Sequence, residues 1–228
     1  MKSLEVTLYE VFGYFLPGCI VLLSLWLVFH TAFWPRDPLI LWQQLSKQGV
    51  AVLFFASYLL GHLAQALGNA LQDFKFFEPN DLSLGNTEMD KCLRSAVSFR
   101  FKVQADQLSS GELYGLCDET LLHNKSLGER EIFTYREGFY RGVSIGLIIL
   151  ATSLLSSLIL TIPIHVRLGA TTTDMWPAPV IFLSSLSALG AYLALGRYKR
   201  FKEYRFRRCA LRFLALATEQ RSTNPPQL

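Results

Sequence analysis

Charge is scarce in this chain and unevenly placed: Asp, Glu, Lys and Arg make up 18% of its residues, against about 25% in an ordinary soluble domain. Four stretches, residues 11–34, 49–71, 143–166 and 179–195, contain none of these residues at all. A soluble core helix rarely runs that far without a charge. At 1.5 Å of rise per residue, a run of about 20 residues spans the roughly 30 Å hydrocarbon core of a bilayer. The fourth run has only 17 residues, although Ala178 and Gly196 can extend it. The absence of charge excludes a simple soluble domain and predicts four transmembrane helices.

Other absences narrow the chemistry. There is no phosphate-binding glycine loop, no H-E-x-x-H, no nucleophile elbow and no pair of acids within a span, so no enzyme is expected. No polar segment alternates apolar and polar residues over a strand's length, which points to an all-α fold. The four cysteines, Cys19, Cys92, Cys117 and Cys209, form no C-x-x-C pair. Three of them fall in segments expected to face a reducing cytoplasm, which disfavours a disulfide framework. With His123 they match no standard zinc spacing. They are read as packing residues, with no metal and no cofactor.

Lys and Arg set the orientation. The connection between the first two runs holds Arg36 and Lys47, and that between the last two holds Arg167, while the other nineteen lie in the N-terminal lead, in residues 72–142 and in the tail. Cytoplasmic segments carry this excess, so both termini and the central segment are expected on the cytoplasmic side of a bacterial inner membrane. A cleaved signal peptide is not expected: the lead carries Lys2 against Glu5 and Glu10, and the first run ends "FHTAFWP" with no small-x-small site. Trp34, Trp42 and Trp176 are placed for the outer interface.

The resulting organisation is residues 1–71 (lead and first two spans), 72–142 (a cytoplasmic helical segment), 143–196 (spans three and four) and 197–228 (a basic helix and disordered tip). "FEPNDLSLGN" reads as a connector. Thr87 is a plausible N-cap with Asp90 three residues on, a weaker capping box. The central segment carries twelve acids against nine bases, and the tail nine bases against two acids. These two parts are expected to pack into a small helical domain under the membrane.

Within the spans, a few residues break the apolar pattern. Pro17 has no amide to donate, and its ring meets the carbonyl of Gly13 one turn back. With Gly18 following, a kink or break is expected, a hinge that leaves residues 3–15 as a short interfacial helix. In "SYLLGHLAQALGN" the helical period gathers Tyr58, His62, Gln65, Asn69 and Gln72 on one face. Ser57, Gly61, Ala64 and Gly68 share the adjoining face, a small-residue seam that lets another helix approach. Polar groups cannot be satisfied by lipid, so Tyr58, His62, Gln65 and Asn69 are expected to face protein or water, as interhelical glue or as the lining of a pore or pocket. Ser144, Thr152, Ser153, Ser156, Ser157 and Thr161 in span three, and Ser184, Ser185 and Ser187 in span four, favour tight packing, with Ser153 and Ser157 as packing positions.

The tail presents Arg197, Lys199, Arg200, Lys202, Arg205, Arg207, Arg208 and Arg212 within sixteen residues. Contact with anionic lipid comes first, at about 1 kcal/mol per residue near the surface. Pairing with the acidic segment or with a cytoplasmic protein partner comes second, and nucleic acid last, since no recognised fold accompanies the charge. Tyr198, Phe201, Tyr204, Phe206 and Phe213 point to several sides of one helix, which suggests more than one neighbour and a homo-oligomer.

"YEVFGYFLPGCIVLL" with "YLLGHLAQALGN" resembles a group of bacterial inner-membrane proteins that share a G-Y-x-x-P-G opening, a G-H-x-x-Q-A second span, a cytoplasmic insert and an arginine-rich end. The resemblance implies a multi-pass inner-membrane protein and carries no activity with it. Some small polytopic proteins of this general shape serve as membrane subunits of phage-defence systems. The expected function is therefore a non-enzymatic, oligomeric membrane effector, pore or platform. The alternative is a small transporter or lipid-binding protein with an intramembrane pocket. An intramembrane enzyme would need Cys19 beside His62.

Overall fold

The computed structural model describes residues 2–33, 46–71, 87–124, 130–168 and 177–223. The three interfacial tryptophans, the connector at residues 77–86 and the tip at 224–228 lie outside the described residues. Every element is helical apart from one 3₁₀ turn: α1 (Lys2–Phe33), α2 (Lys47–Ala70), α3 (Thr87–Phe101), the turn Ala105–Gln107, α4 (Ser110–His123), α5 (Arg130–Leu168) and α6 (Pro177–Thr223). Among the described residues there is no strand.

Three stretches, Lys47–Ala70, Phe133–Ile159 and Ala178–Glu219, are long and apolar enough to cross a membrane, and Gly13–Phe29 is a shorter apolar helix. The third run starts about ten residues earlier than the uncharged block does, so it takes in Glu137 and Arg141. Pro177 opens α6, where a missing amide costs nothing because the first turn has no acceptor for it.

α1 corrects one expectation. Residues 3–15 are not a separate interfacial helix: Lys2–Phe33 is one α-helix with Pro17 inside it. The reason lies in what surrounds Pro17, described below. α2 starts as its sequence allows, with the Ser46 side chain accepting from the Gly49 amide at 3.1 Å, one of the four donors that a helix start leaves open.

The chain forms two compact units, Met1–Phe77 with Tyr135–Tyr198, and Glu78–Thr134 with Lys199–Leu228. α5 and α6 supply residues to both. The first unit is built on Val21 of α1, Ala64 of α2, Ile145 of α5 and Leu195 and Tyr198 of α6, with Leu60, Leu71, Tyr140 and Ile149 packed around them. All four helices therefore meet in one core. Its outer surface is apolar: Val52, Phe55 and Leu63 on α2, and Phe182, Tyr192 and Leu193 on α6, are all more than half exposed. A soluble monomer does not carry contiguous apolar surface of that extent.

The second unit buries Leu93, Ala96 and Val97 of α3, Ala105 of the turn, Leu113, Cys117 and Leu121 of α4, and Phe206, Cys209, Ala210 and Phe213 of α6. α3 has Glu88 and Asp90 in its first turn and Arg100 in its last, which matches the helix dipole at both ends. Arg94 donates to the carbonyls of Ala105 and Leu108, and the Ala105 amide donates to Ser98 Oγ at 3.2 Å. These bonds satisfy the backbone of the α3–α4 connection. α4 opens with a full capping box: the Glu112 amide donates to Ser109 Oγ, and Glu112 accepts from the Ser109 amide at 2.8 Å. The Ser109 bonds hold the Glu112 carboxyl below its ordinary range.

Candidate functional site

The two motifs that break the apolar pattern dock on each other inside the first unit. "GYFLPG" is residues 13–18 of α1 and "GHLAQA" is residues 61–66 of α2. A Cβ on Gly18 would lie 1.6 Å from the Ser57 carbonyl oxygen, and one on Gly61 would lie 1.7 Å from that of Tyr14. No real side-chain atom fits there, so the two backbones touch, and each glycine is the condition for the other. Ser57, Gly61, Ala64 and Gly68 are the buried residues of α2. In the bilayer, where lipid is as apolar as leucine, such close backbone approach is what holds helices together.

Gln65 answers a need created by Pro17. In a regular helix the carbonyl of Gly13 accepts from the amide of residue 17, and proline has none. Gln65 Nε2 donates to the Gly13 oxygen instead, at 3.1 Å. One motif thus loses a backbone hydrogen bond and the other supplies it, across 52 residues of sequence. A carbonyl left bare away from water costs free energy comparable to a lost hydrogen bond, and the amide of Gln65 removes that cost.

A third helix closes over this junction. Cβ atoms placed on Gly142 would lie 3.0 Å from Pro17 Cγ and 3.3 Å from Gln65 Cγ; on Gly146, 3.2 Å from the Pro17 oxygen; on Gly138, 3.5 Å from Gln65 Oε1. α5 therefore lays a G-x-x-x-G-x-x-x-G ridge, "GFYRGVSIG", over Pro17 and Gln65. Pro17 is among the most fully buried side chains of the chain. With the orphan carbonyl satisfied and its ring seated on Gly142, the helix passes through proline without ending.

The remaining polar residues of α2 grade outward from the seam. At about 100° per residue, Gln65, Tyr58, Asn69 and His62 sit about 40°, 60°, 80° and 100° round from Gly61. Burial follows that order in part: Gln65 and Tyr58 are half-buried, whereas Asn69 and His62 are exposed. The His62 ring stacks on Tyr14 at 3.7 Å between centroids and 15° between planes, and meets Tyr58 edge-on at 4.7 Å. Cys19 is half-buried on α1. Gly68 leaves room for the stem of Arg141, whose Cγ lies 2.8 Å from where a Cβ would be.

The hydroxyls of α5 and α6 are turned mostly onto their own backbone. Ser144, Thr152, Ser157 and Ser187 each donate to a carbonyl three or four residues earlier, while Ser184 reaches from α6 to the Ala151 carbonyl of α5 at 3.1 Å. Ser157 is buried and Ser153 half-buried.

On α6, Arg197, Arg200, Arg207, Arg208 and Arg212 are exposed, and Lys199, Lys202 and Arg205 are half-buried. The Arg205 guanidinium lies 5.2 Å over the Tyr114 ring of α4, a cation–π contact inside the second unit. The aromatics on several sides of α6 find several neighbours within the chain: Tyr198 in the core of the first unit, Phe206 and Phe213 in that of the second, and Phe201 beside Phe133. Cys117 and Cys209 are core residues of the second unit. Burial, with Cys209 and Asp118 adding to it, pushes the Cys117 thiol up to about 12. A groove of about 370 Å³ between α3 and α6 is lined by Lys91, Cys92, Ser95, Leu214 and Thr218. Among the described residues no group of three His, Cys, Asp or Glu could hold a metal.

Comparison with protein-family models, curated proteins and solved structures gives no match.

Sequence reasoning missed the α5 glycine ridge, although the spacing of Gly138, Gly142 and Gly146 announces it. It also missed Glu137, which is only 4% exposed, because the third run was begun at its first uncharged residue. The capping box at Ser109 was equally visible as S-x-x-E.

Proposed function

We propose that this chain is a non-enzymatic, oligomeric inner-membrane protein in which four helices cross the bilayer and the second unit lies in the cytoplasm. The second unit receives a partner or signal, with the arginines of α6 against anionic lipid or that partner, and the membrane part acts as effector or platform. The observation that carries this reading is the single core shared by α1, α2, α5 and α6, wrapped in an apolar exterior. Only 17%, 39% and 28% of the apolar stretches in α2, α5 and α6 are buried, so most of that surface needs lipid or another copy against it. The junction of Pro17, Gln65 and the α5 glycines is closely filled. Any conducting path would then run between copies.

Topology reporters at residue 110 and at the C-terminus give the first test: both are expected on the cytoplasmic side. Opposite sides would overturn the four-span reading. Native mass spectrometry of the detergent-solubilised protein is expected to give an oligomer, whereas a monomer with retained lipid would favour a transporter or lipid carrier.

A further inference from the structure

The exposed margin of the α1–α2 seam carries hydrogen-bonding groups that no described residue uses. His62 makes ring contacts with Tyr14 and Tyr58, which contact each other at 5.9 Å. Among the described residues neither imidazole nitrogen, nor the hydroxyl of Tyr14 or Tyr58, has a hydrogen-bond partner. Around them the α2 surface is apolar and open, with Phe55 63%, Leu59 49% and Leu63 64% exposed. His62 lies about one turn from the midpoint of α2, only some 5–6 Å along the axis. In a hydrocarbon core about 30 Å thick, that depth is beyond the reach of headgroups.

We infer that a second copy of this chain docks on this margin and brings its own His62 against the first. The inference rests on the membrane reading of the first unit and deepens the oligomer proposed for it. Acyl chains offer no donor or acceptor to an imidazole. A partner there must supply both, because a neutral imidazole presents one of each. An identical face related by a two-fold axis does so, donor to acceptor, which makes the patch self-complementary. The tyrosine rings flank the imidazole, and the surrounding leucines and phenylalanine close the contact from lipid. Stacking on Tyr14 fixes the plane of the imidazole.

The experiment is thiol cross-linking in native membranes. Phe55→Cys and Leu59→Cys, which keep the imidazole, report the proposed face, since both side chains are exposed beside His62. Leu67→Cys, exposed on the same helix about 140° round from His62, reports a different one. Each is made in a Cys19→Ser, Cys92→Ser background and oxidised under air with copper phenanthroline, and the unoxidised proteins are weighed by native mass spectrometry. A covalent dimer at position 55 or 59, at least fivefold above that at 67, is expected. Loss of the native oligomer in His62→Leu would add to it. An intact oligomer that cross-links at 67 but at neither 55 nor 59 overturns this face and leaves oligomerisation standing. A native monomer with no cross-link anywhere overturns both.

Discussion

Gln65→Met tests the compensation between the two helices most directly. Methionine keeps the length and much of the volume of glutamine, so contact with Gly142 survives, but it cannot donate to the Gly13 carbonyl. Removing a donor from a buried acceptor costs about 1–3 kcal/mol. Interhelical hydrogen bonds in membranes come out lower, averaging about 0.6 and reaching about 1.7 kcal/mol, because separated helices find other partners. Here that discount is smaller: with Pro17 in place, the Gly13 carbonyl lacks its regular donor four residues on, and within α1 only a local 3₁₀ or π adjustment could replace it. A cost near the upper end, about 1.5 kcal/mol, is therefore expected, a roughly tenfold shift in the unfolding equilibrium.

The same argument says that the cost depends on Pro17. In Pro17→Ala the amide of residue 17 returns and bonds to the Gly13 carbonyl within α1, so Gln65 becomes nearly redundant. Gln65→Met in that background should cost about 0.5 kcal/mol, giving a coupling near 1 kcal/mol in the double-mutant cycle, well outside the roughly 0.3–0.5 expected of independent sites. Reversible unfolding in bicelles, followed by far-UV circular dichroism, reads all four corners of the cycle. Pro17→Ala alone loses the ring contact with Gly142, and the cycle cancels that loss. Equal costs of Gln65→Met with and without Pro17 would refute the idea that the amide stands in for the missing backbone donor.

Gly18→Ala and Gly61→Ala each place a methyl under 2 Å from a carbonyl oxygen of the facing helix and should destabilise by about 3 kcal/mol; Gly196→Ala, with nothing within 4 Å, should leave the melting temperature unchanged or slightly raised. Ser109→Ala removes the cap of α4 and should cost about 1 kcal/mol, read as earlier melting of the second unit. The Cys117 thiol gives a pH signature. Its value rises from 9.0 to about 12 on folding, so below pH 9 both states hold the proton and stability is unaffected. As pH climbs from 9 toward 12 the unfolded chain loses that proton first, and stability falls. Cys117→Ala should flatten this alkaline decline, and an unchanged slope would remove Cys117 as its cause.

Much of the fold is legible because helical period and charge say different things and agree. Uncharged runs gave the apolar helices, and the small residues of α2 fall on one stripe that the structure buries. What a period cannot give is where a neighbour ends. Gln65, Tyr58, Asn69 and His62 share one stripe, yet only the inner part of it meets α1 and α5, so residues with the same pattern have different environments. The acceptor for Gln65 was hidden for another reason. It is a backbone atom, marked in the sequence only by a proline four residues later, and its donor lies on a different helix. The α5 glycines were readable from spacing, but Gly138 and Gly142 stood beside Arg141 and outside the uncharged block, where a membrane reading does not look for a packing ridge.

That last point bears on how the membrane part is built. α5 begins its packing at Gly138, beside the buried Glu137, so the helix commits to the bundle before its uncharged stretch begins. Proline, glutamine and three glycines on three helices then make one junction: Gly142 admits the ring, Gly146 and Gly138 leave room for the Pro17 oxygen and the Gln65 amide, the ring strands the carbonyl, and the amide recovers it. A junction of this kind fixes register, because sliding α2 by one residue along α1 removes the Gln65 bond and drives Gly61 off the Tyr14 carbonyl together. Apolar packing alone tolerates such a slip at little cost, whereas the Pro17–Gln65 pair does not. The polar groups on the stripe that this junction leaves without a hydrogen bond among the described residues are the His62 imidazole and the Tyr58 hydroxyl, which is why the margin, and not the seam, is the place to look for a partner.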